Sequence, residues 1–227
     1  MHSKQSSALC AAFPLTLPVM AGYLVLGMGF GILLQSKGYH FGWAILMSLT
    51  IYAGSMQYVA VDLLSGGATL VATALMTLMV NARHLFYGIS MLGKYKGLGR
   101  KRFFLIFGLC DETFSIASTA QPPEGVDRGS FYFFVTLFDY LYWVGGTLLG
   151  GLLGSVIPFS TEGLDFALTA LFVVLFLGQL ENAGSRIYGL IGTVCSLAVL
   201  LLVGADNMVI PSMIVILIVL LIGRKRI

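Results

Sequence analysis

Charge is what this chain has least of. Asp, Glu, Lys and Arg make up 10% of its 227 residues, well under half the ~25% of an ordinary soluble domain. No stretch is polar enough to build a large water-facing domain. The net charge of +3 is too small to suggest nucleic acid as a partner. Cysteine is almost as scarce: Cys10, Cys110 and Cys195 stand alone in apolar surroundings with no CxxC pair. A disulfide or metal site needs clustered partners, so these three read as small buried hydrophobes. Only His84 of the histidines falls within an apolar span, and no HExxH surrounds it. No serine–histidine pair or pair of aspartates has the setting of an intramembrane protease, and there is no GxxxxGK[ST] loop. These absences argue against an enzyme and against direct use of ATP, and no cofactor or metal is expected.

Apolar residues fill the space instead. They make up 58% of the chain, and the mean hydropathy is +0.93. With Gly 28 and Phe 16, this is the composition of closely packed transmembrane helices surrounded by lipid bilayer. The expected fold is all-α, a polytopic transmembrane bundle forming a single domain over residues 1 to 227. The apolar stretch from about Ala8 to Leu34 is too long for a signal-peptide core and lacks a small-residue cleavage site, so it is expected to be retained.

A bilayer needs about 20 apolar residues per helix. Eight segments meet that ruler, near 13 to 34, 43 to 64, 69 to 92, 103 to 119, 131 to 157, 165 to 180, 187 to 203 and 207 to 223. Lys94, Lys96, Arg100, Lys101 and Arg102 mark the loop after the third segment as cytoplasmic, and Arg224, Lys225 and Arg226 mark the C-terminus likewise. Both hold if 103 to 119, short and with two adjacent carboxylates, is re-entrant or broken. The expectation is seven crossings plus that segment, with the N-terminus outside, although Lys4 sits awkwardly there. Shifting the chain by 123 residues lays Gly22, Gly27 and Gly31 on Gly145, Gly150 and Gly154. With this topology, halves 13–119 and 131–223 would form the inverted repeat of many secondary transporters. The small-xxx-small runs GMGFG (27 to 31), GTLLG (146 to 150) and GGLLG (150 to 154) predict close helix contacts.

Polar groups inside these segments are the candidates for function. A central arginine costs roughly 2.5 to 3.5 kcal/mol, so Arg83 should face protein or water and have a partner. At about 100° per residue, Arg83 shares a helix face with Tyr87, while Asn81, His84 and Gly88 line another. Either the helix breaks here or the two faces serve different neighbours. Arg83 reads as one half of an ion pair with Asp111 or Glu112, as a side chain snorkelling toward an interface, or as a group that holds an anion or gates a path. His84 is either a packed polar residue or a proton relay. In the second segment, Gly54 and Ser55 are placed to kink the helix and expose backbone groups, with the Gln57 amide at the same depth. The alternative is a close helix crossing at Gly54 with Ser55 bonded to its own helix. Pro14 and Pro18 should either disrupt the opening turns of the first segment or cap it at the membrane edge. Asp139, among Tyr140, Tyr142 and Trp143, is either a carboxylate in an interfacial aromatic belt or a coupling site, and Asp62 is expected to be wet.

FPLTLPVMAGYLVLGMGFG, YAGSMQ, VNARHLFYG and CDETF, in this order and spacing over about residues 13 to 160, resemble the AzlC family, the larger subunit of two-component branched-chain amino-acid exporters. The resemblance implies export of valine, leucine, isoleucine and sometimes methionine across the bacterial cytoplasmic membrane. It also implies a small AzlD-type membrane partner. It sets Gly54, Ser55 and Gln57 in the second-segment motif, Asn81 and Arg83 in the third, and Asp111 and Glu112 in the fourth. A zwitterionic amino acid needs donors for its carboxylate, such as Arg83 or freed amides. Its ammonium needs acceptors, such as Asp111, Glu112 or unwound carbonyls near Gly54. A passive channel for small polar solutes is the alternative function.

Overall fold

The computed structural model describes residues 2–156, 186–204 and 208–223, with a few isolated positions between 157 and 185. All regular structure among the described residues is helical, as expected. The chain divides into two compact units, Met1–Ala167 and Leu168–Ile227. The first holds α1 (His2–Ser36), α2 (Phe41–Thr50), α3 (Gly54–Ser65), α4 (Leu70–Met91), α5 (Lys101–Phe107), α6 (Asp111–Thr119) and α7 (Arg128–Val156). The second holds α8 (Arg186–Val203) and α9 (Val209–Gly223), which pack on each other. Among the described residues, four helices are long and apolar enough to cross a membrane: α1, α4, α7 and α8. The candidate segment at 165 to 180 lies mostly outside the described residues.

α1 and α7 form the spine of the first unit. Phe13 meets Phe138 with ring centroids 5.5 Å apart, and the Thr16 and Tyr142 hydroxyls are 3.2 Å apart. Farther along, Gly27 lies on Gly146 and Thr147, and Gly31 on Gly150 and Gly151. A Cβ at Gly31 would come within 2.5 Å of the Thr147 carbonyl oxygen, so only glycine permits this approach. The small-xxx-small runs therefore do the packing expected of them. Contacts advance along both helices together, so α1 and α7 run parallel. That corrects the inverted-repeat expectation: the 123-residue shift pairs two helices of the same direction.

One end of this unit gathers the basic loop. Ala12, Met91, Tyr95, Leu105, Leu109, Ala117, Phe131, Tyr132 and Val135 form one buried cluster, bringing together α1, α4, α5, α6 and α7. Above it, the Lys94 ammonium donates to the carbonyls of Ala117 and Ser118 at 2.9 and 2.6 Å, capping the C-terminal end of α6. Arg128 donates to the Lys94 carbonyl, and Lys101 donates to Ser130 at 2.8 Å and pairs with Asp127 at 3.4 Å. The start of α5 and the end of α6 are thus at the same end, and the 103 to 119 segment is a hairpin of two short helices, as anticipated. The N-terminal part of α1 is at this end too. The N-terminus consequently lies on the side of the basic loop, a correction that also removes the difficulty over Lys4.

The 43 to 64 segment was counted as a full crossing, and it is a second hairpin. α2 descends along α7: Phe41 sits at Gly151, Ser48 bonds Thr147 at 2.9 Å, and Gly54 lies on Trp143. α3 then turns back along α1, with the Tyr58 hydroxyl donating to the Leu26 carbonyl at 2.7 Å and its ring on Phe30. With 10 and 12 residues, the two helices are about 15 and 18 Å long, against a hydrocarbon core of about 30 Å. The turn is made at Tyr52, the one non-glycine residue with positive φ (45°) among those described. Pro14 and Pro18 lie well inside the continuous α1 rather than opening it, a further correction. Cys110 and Cys195 are buried as read, while Cys10 is exposed.

Candidate functional site

The two hairpins enter from opposite ends, and their tips meet midway along α1, α4 and α7. The Tyr52 ring lies on Phe107 (6.2 Å) and Tyr140 (4.9 Å), and its hydroxyl is 3.8 Å from the Cys110 sulfur. α3 and α6 both begin at this junction, so the electropositive N-terminal ends of two helices converge there. That field favours the two carboxylates in the first turn of α6, Asp111 and Glu112.

α4 is continuous through Asn81, Arg83 and His84, so its two faces serve different neighbours, one of the two outcomes expected. On one face, the Arg83 guanidinium pairs with Asp111 at 2.9 Å and donates to the Ser55 hydroxyl at 2.6 Å. Tyr87, one turn on, donates to the other oxygen of Asp111 at 2.5 Å and stacks on Phe114. Ser55, Arg83 and Asp111 therefore clip the two hairpins to α4. Ser55 is not bonded back to its own helix. Glu112 takes a different partner, the Tyr23 hydroxyl of α1, at 2.6 Å.

The other face of α4 lines a cavity of about 230 Å³. Its walls are Ile51, Tyr52 and Ala53 from one tip, Ile106, Phe107 and Leu109 from the other, and Asn81, His84 and Gly88 from α4. The side-chain carbonyl oxygen of Asn81 is buried without a partner, and His84 Nδ1 donates to the Asn81 main-chain carbonyl at 3.2 Å. Open space surrounds the Gly88 Cα. The lining is apolar with a polar edge, and its size suits a ligand smaller than a drug-like molecule.

Gln57 and Gly54 do not reach this cavity. The Gln57 amide donates to Ser48 and accepts from the Trp143 indole, both at 2.9 Å, so it fastens α2, α3 and α7 together at 0% exposure. Gly54 is a close-approach position, where a Cβ would come within 2.9 Å of the Trp143 ring. Asp139 is fully buried and accepts from Thr113 at 2.8 Å. The interfacial-belt reading of its surroundings is therefore replaced: Trp143 packs inward on Tyr23 and Phe30, and the Tyr140 hydroxyl donates to the Leu49 carbonyl. Asp62 is exposed as expected.

Sequence reasoning missed Tyr23, Tyr52, Tyr87, Phe107, Cys110 and Thr113 as members of this junction. Tyr87 carried a signal in its shared face with Arg83, and Tyr23, Tyr52, Cys110 and Thr113 stand within the spaced motifs. What joins the motifs is a set of long-range contacts that spacing does not record.

These features define an integral membrane protein built around two interrupted helices whose tips enclose charged groups and a small cavity. Comparison with known proteins is consistent with that class. The family model described as AzlC protein matches residues 18–157. The chain is 50% identical to the branched-chain amino acid transport protein AzlC of Bacillus subtilis, over 96% of this chain and 86% of the relative. It is 40% identical to an uncharacterized membrane protein of Haemophilus influenzae, over 92% of this chain and 86% of that protein. It is 29% identical to the inner membrane protein YgaZ of Escherichia coli, over 75% and 72%. No solved structure matches significantly. The chain belongs to the AzlC family.

Proposed function

We propose that this chain is the large subunit of a secondary exporter of branched-chain amino acids (valine, leucine, isoleucine and also methionine) in the bacterial cytoplasmic membrane. It works with a small AzlD-type membrane subunit and is driven by protons. The observation that carries this reading is the cavity where the two hairpin tips meet α4. Ile51, Ile106, Phe107 and Leu109 offer an aliphatic side chain its apolar wall, while Asn81, His84 and the unwound backbone at 51–53 offer polar partners to an amino-acid head group. Arg83 and Asp111, already paired beside the cavity, serve as the gate: their clip must open for the tips to part. The name of the Bacillus relative supports the substrate class.

The test is efflux of labelled valine, leucine, methionine and an unrelated polar amino acid from loaded cells, with and without a small partner and with the proton gradient intact or collapsed. Export of the aliphatic substrates alone, dependent on the gradient, is expected. Gly88→Leu, which fills open space beside the cavity, should slow leucine and methionine more than valine. Equal leakage of every solute, unaffected by the gradient, would make the chain a passive channel instead.

A further inference from the structure

Two carboxyl groups on different helices stand at the ends of one unbroken line of hydrogen bonds. Asp139 of α7 accepts from the Thr113 hydroxyl at 2.8 Å. Thr113 meets the Cys110 thiol at 3.2 Å, and the thiol meets the Tyr23 hydroxyl at 2.9 Å. Tyr23 donates to Glu112 at 2.6 Å. Asp139, Thr113, Cys110 and Tyr23 are all buried, Asp139 and Thr113 at 0% exposure. Among the described residues no cation pairs with Asp139, and its Oδ1 finds no partner.

The chemistry of the line matters more than its length. A hydroxyl, a thiol and a phenol each donate and accept, so every middle member can hand on a proton. Arg83 beside them only donates. In the arrangement present, Thr113 and Tyr23 donate outward to the two carboxylates, which leaves the Cys110 proton to point to Thr113, to Tyr23 or, at 3.8 Å, to the Tyr52 hydroxyl. Asp139 is faced by Thr113 from α6 and by Tyr52 from the α2–α3 tip, with Glu112 farther off. Glu112 is faced by Tyr23 from α1, Cys110 and Asp111 from its own hairpin, and Arg83 from α4.

We propose that Asp139, Thr113, Cys110, Tyr23 and Glu112 form a proton-transfer line through the junction, a path for the coupling proton. The step balances. A proton arrives on Asp139 and the Thr113 hydroxyl turns from Asp139 toward sulfur. Asp139 then gives its proton to the Thr113 oxygen, the Thr113 proton passes to sulfur, the thiol proton to the Tyr23 oxygen, and the Tyr23 proton to Glu112, leaving Asp139 ionised and Glu112 protonated. Glu112 is the neighbour in sequence of Asp111, which pairs with Arg83, so a proton on Glu112 changes the charge one residue from the clip between the hairpins. Intramembrane carboxylates joined by relays are the usual means of moving protons in transporters. This assignment rests on the proton-driven reading above. None of Tyr23, Cys110, Thr113 and Glu112 lines the substrate cavity.

The test uses the full chain with its partner subunit in liposomes, measuring valine accumulation driven by an outward proton gradient, the accompanying rise of internal pH by a pH-sensitive dye, and valine–valine exchange at equal pH. Cys110→Ala and Tyr23→Phe should lower accumulation and proton movement by roughly 100-fold or more while exchange persists. Cys110→Ser, whose hydroxyl both donates and accepts, should restore both. Accumulation within twofold of the unaltered protein in Cys110→Ala would overturn the proposal. So would loss of exchange together with accumulation in both Cys110→Ala and Tyr23→Phe, or a Cys110→Ser variant no better than Cys110→Ala, since these mark a packing role. An unaltered protein that exchanges valine but ignores the pH gradient would refute proton coupling itself.

Discussion

At the residue scale, a charge in hydrocarbon must find shelter, and each one here has found it differently. Arg83 is held by a carboxylate and a hydroxyl from two separate hairpins. Removing it leaves Asp111, among the described residues, with only the Tyr87 hydroxyl. Arg83→Ala should abolish transport and lower stability by about 1 to 2 kcal/mol, less than the 3 to 5 of a fully buried pair because the two side chains keep 30% and 22% exposure. Arg83→Lys should insert normally yet recover little activity, because a point charge cannot reproduce the fork that reaches both Ser55 and Asp111. Efflux assays and thermal unfolding in detergent decide it: normal efflux in Arg83→Ala would reduce the clip to a structural prop. The need for a partner to Arg83 was legible from its position alone, and so were its alternative partners. The choice of Asp111 over Glu112 was not, because adjacent residues on a helix point about 100° apart and only the docking of α6 selects between them.

At the element scale, helix ends explain much of the architecture. Asp127 caps α7, accepting from the Ser130 main-chain N–H at 2.7 Å. Its bonds to Ser130, with a lesser contribution from Lys101, hold its carboxyl below the usual carboxylate range. A depressed folded-state value means that the stabilisation is present above the unfolded carboxylate pKa of about 3.9 and fades as pH falls through the lower folded value. Because the side chain is 53% exposed, Asp127→Ala should cost only about 0.5 to 1 kcal/mol at neutral pH. That difference should vanish in strong acid, and a penalty that persists there would show that the cap acts by packing. The broken helices were half visible in sequence. Gly54–Ser55 and the short 103 to 119 segment signalled both interruptions. The turn at Tyr52 was hidden, because tyrosine has no preference for positive φ and is held there by Phe107 and Tyr140.

At the scale of the first unit, direction is the main finding. α1 and α7 run parallel, and both interrupted segments return to the end they came from. In a Cys10→Ser background, which keeps only the buried Cys110 and Cys195, cysteines introduced one at a time at Ser6, Lys96 and Gln121 should therefore be labelled by an impermeant reagent from one side of the membrane, and one at Ser65 from the other. Labelling of Ser6→Cys and Lys96→Cys from opposite sides would restore the original topology. Charge counting anticipated that 103 to 119 is re-entrant or broken, and the segment is interrupted, a hairpin of two short helices. The same counting misplaced the N-terminus because 43 to 64 is apolar enough on average to pass as one span, and hydropathy cannot tell a helix that crosses from two half-length helices that turn back.

Composition and motif order alone determined that the chain is an all-helical membrane protein of the AzlC family, because a run of apolar residues has few other places to go and four spaced motifs seldom coincide. Spacing alone also divided α4 into an Arg83 face and an Asn81–His84–Gly88 face. Only the tertiary structure decided what those faces meet, that two hairpin tips share one junction, and that Asp139 and Glu112 are joined through Tyr23, Cys110 and Thr113. Each of these depends on residues up to 89 positions apart, brought together by glycine-to-glycine packing and helix reversals that leave no periodic trace in the chain.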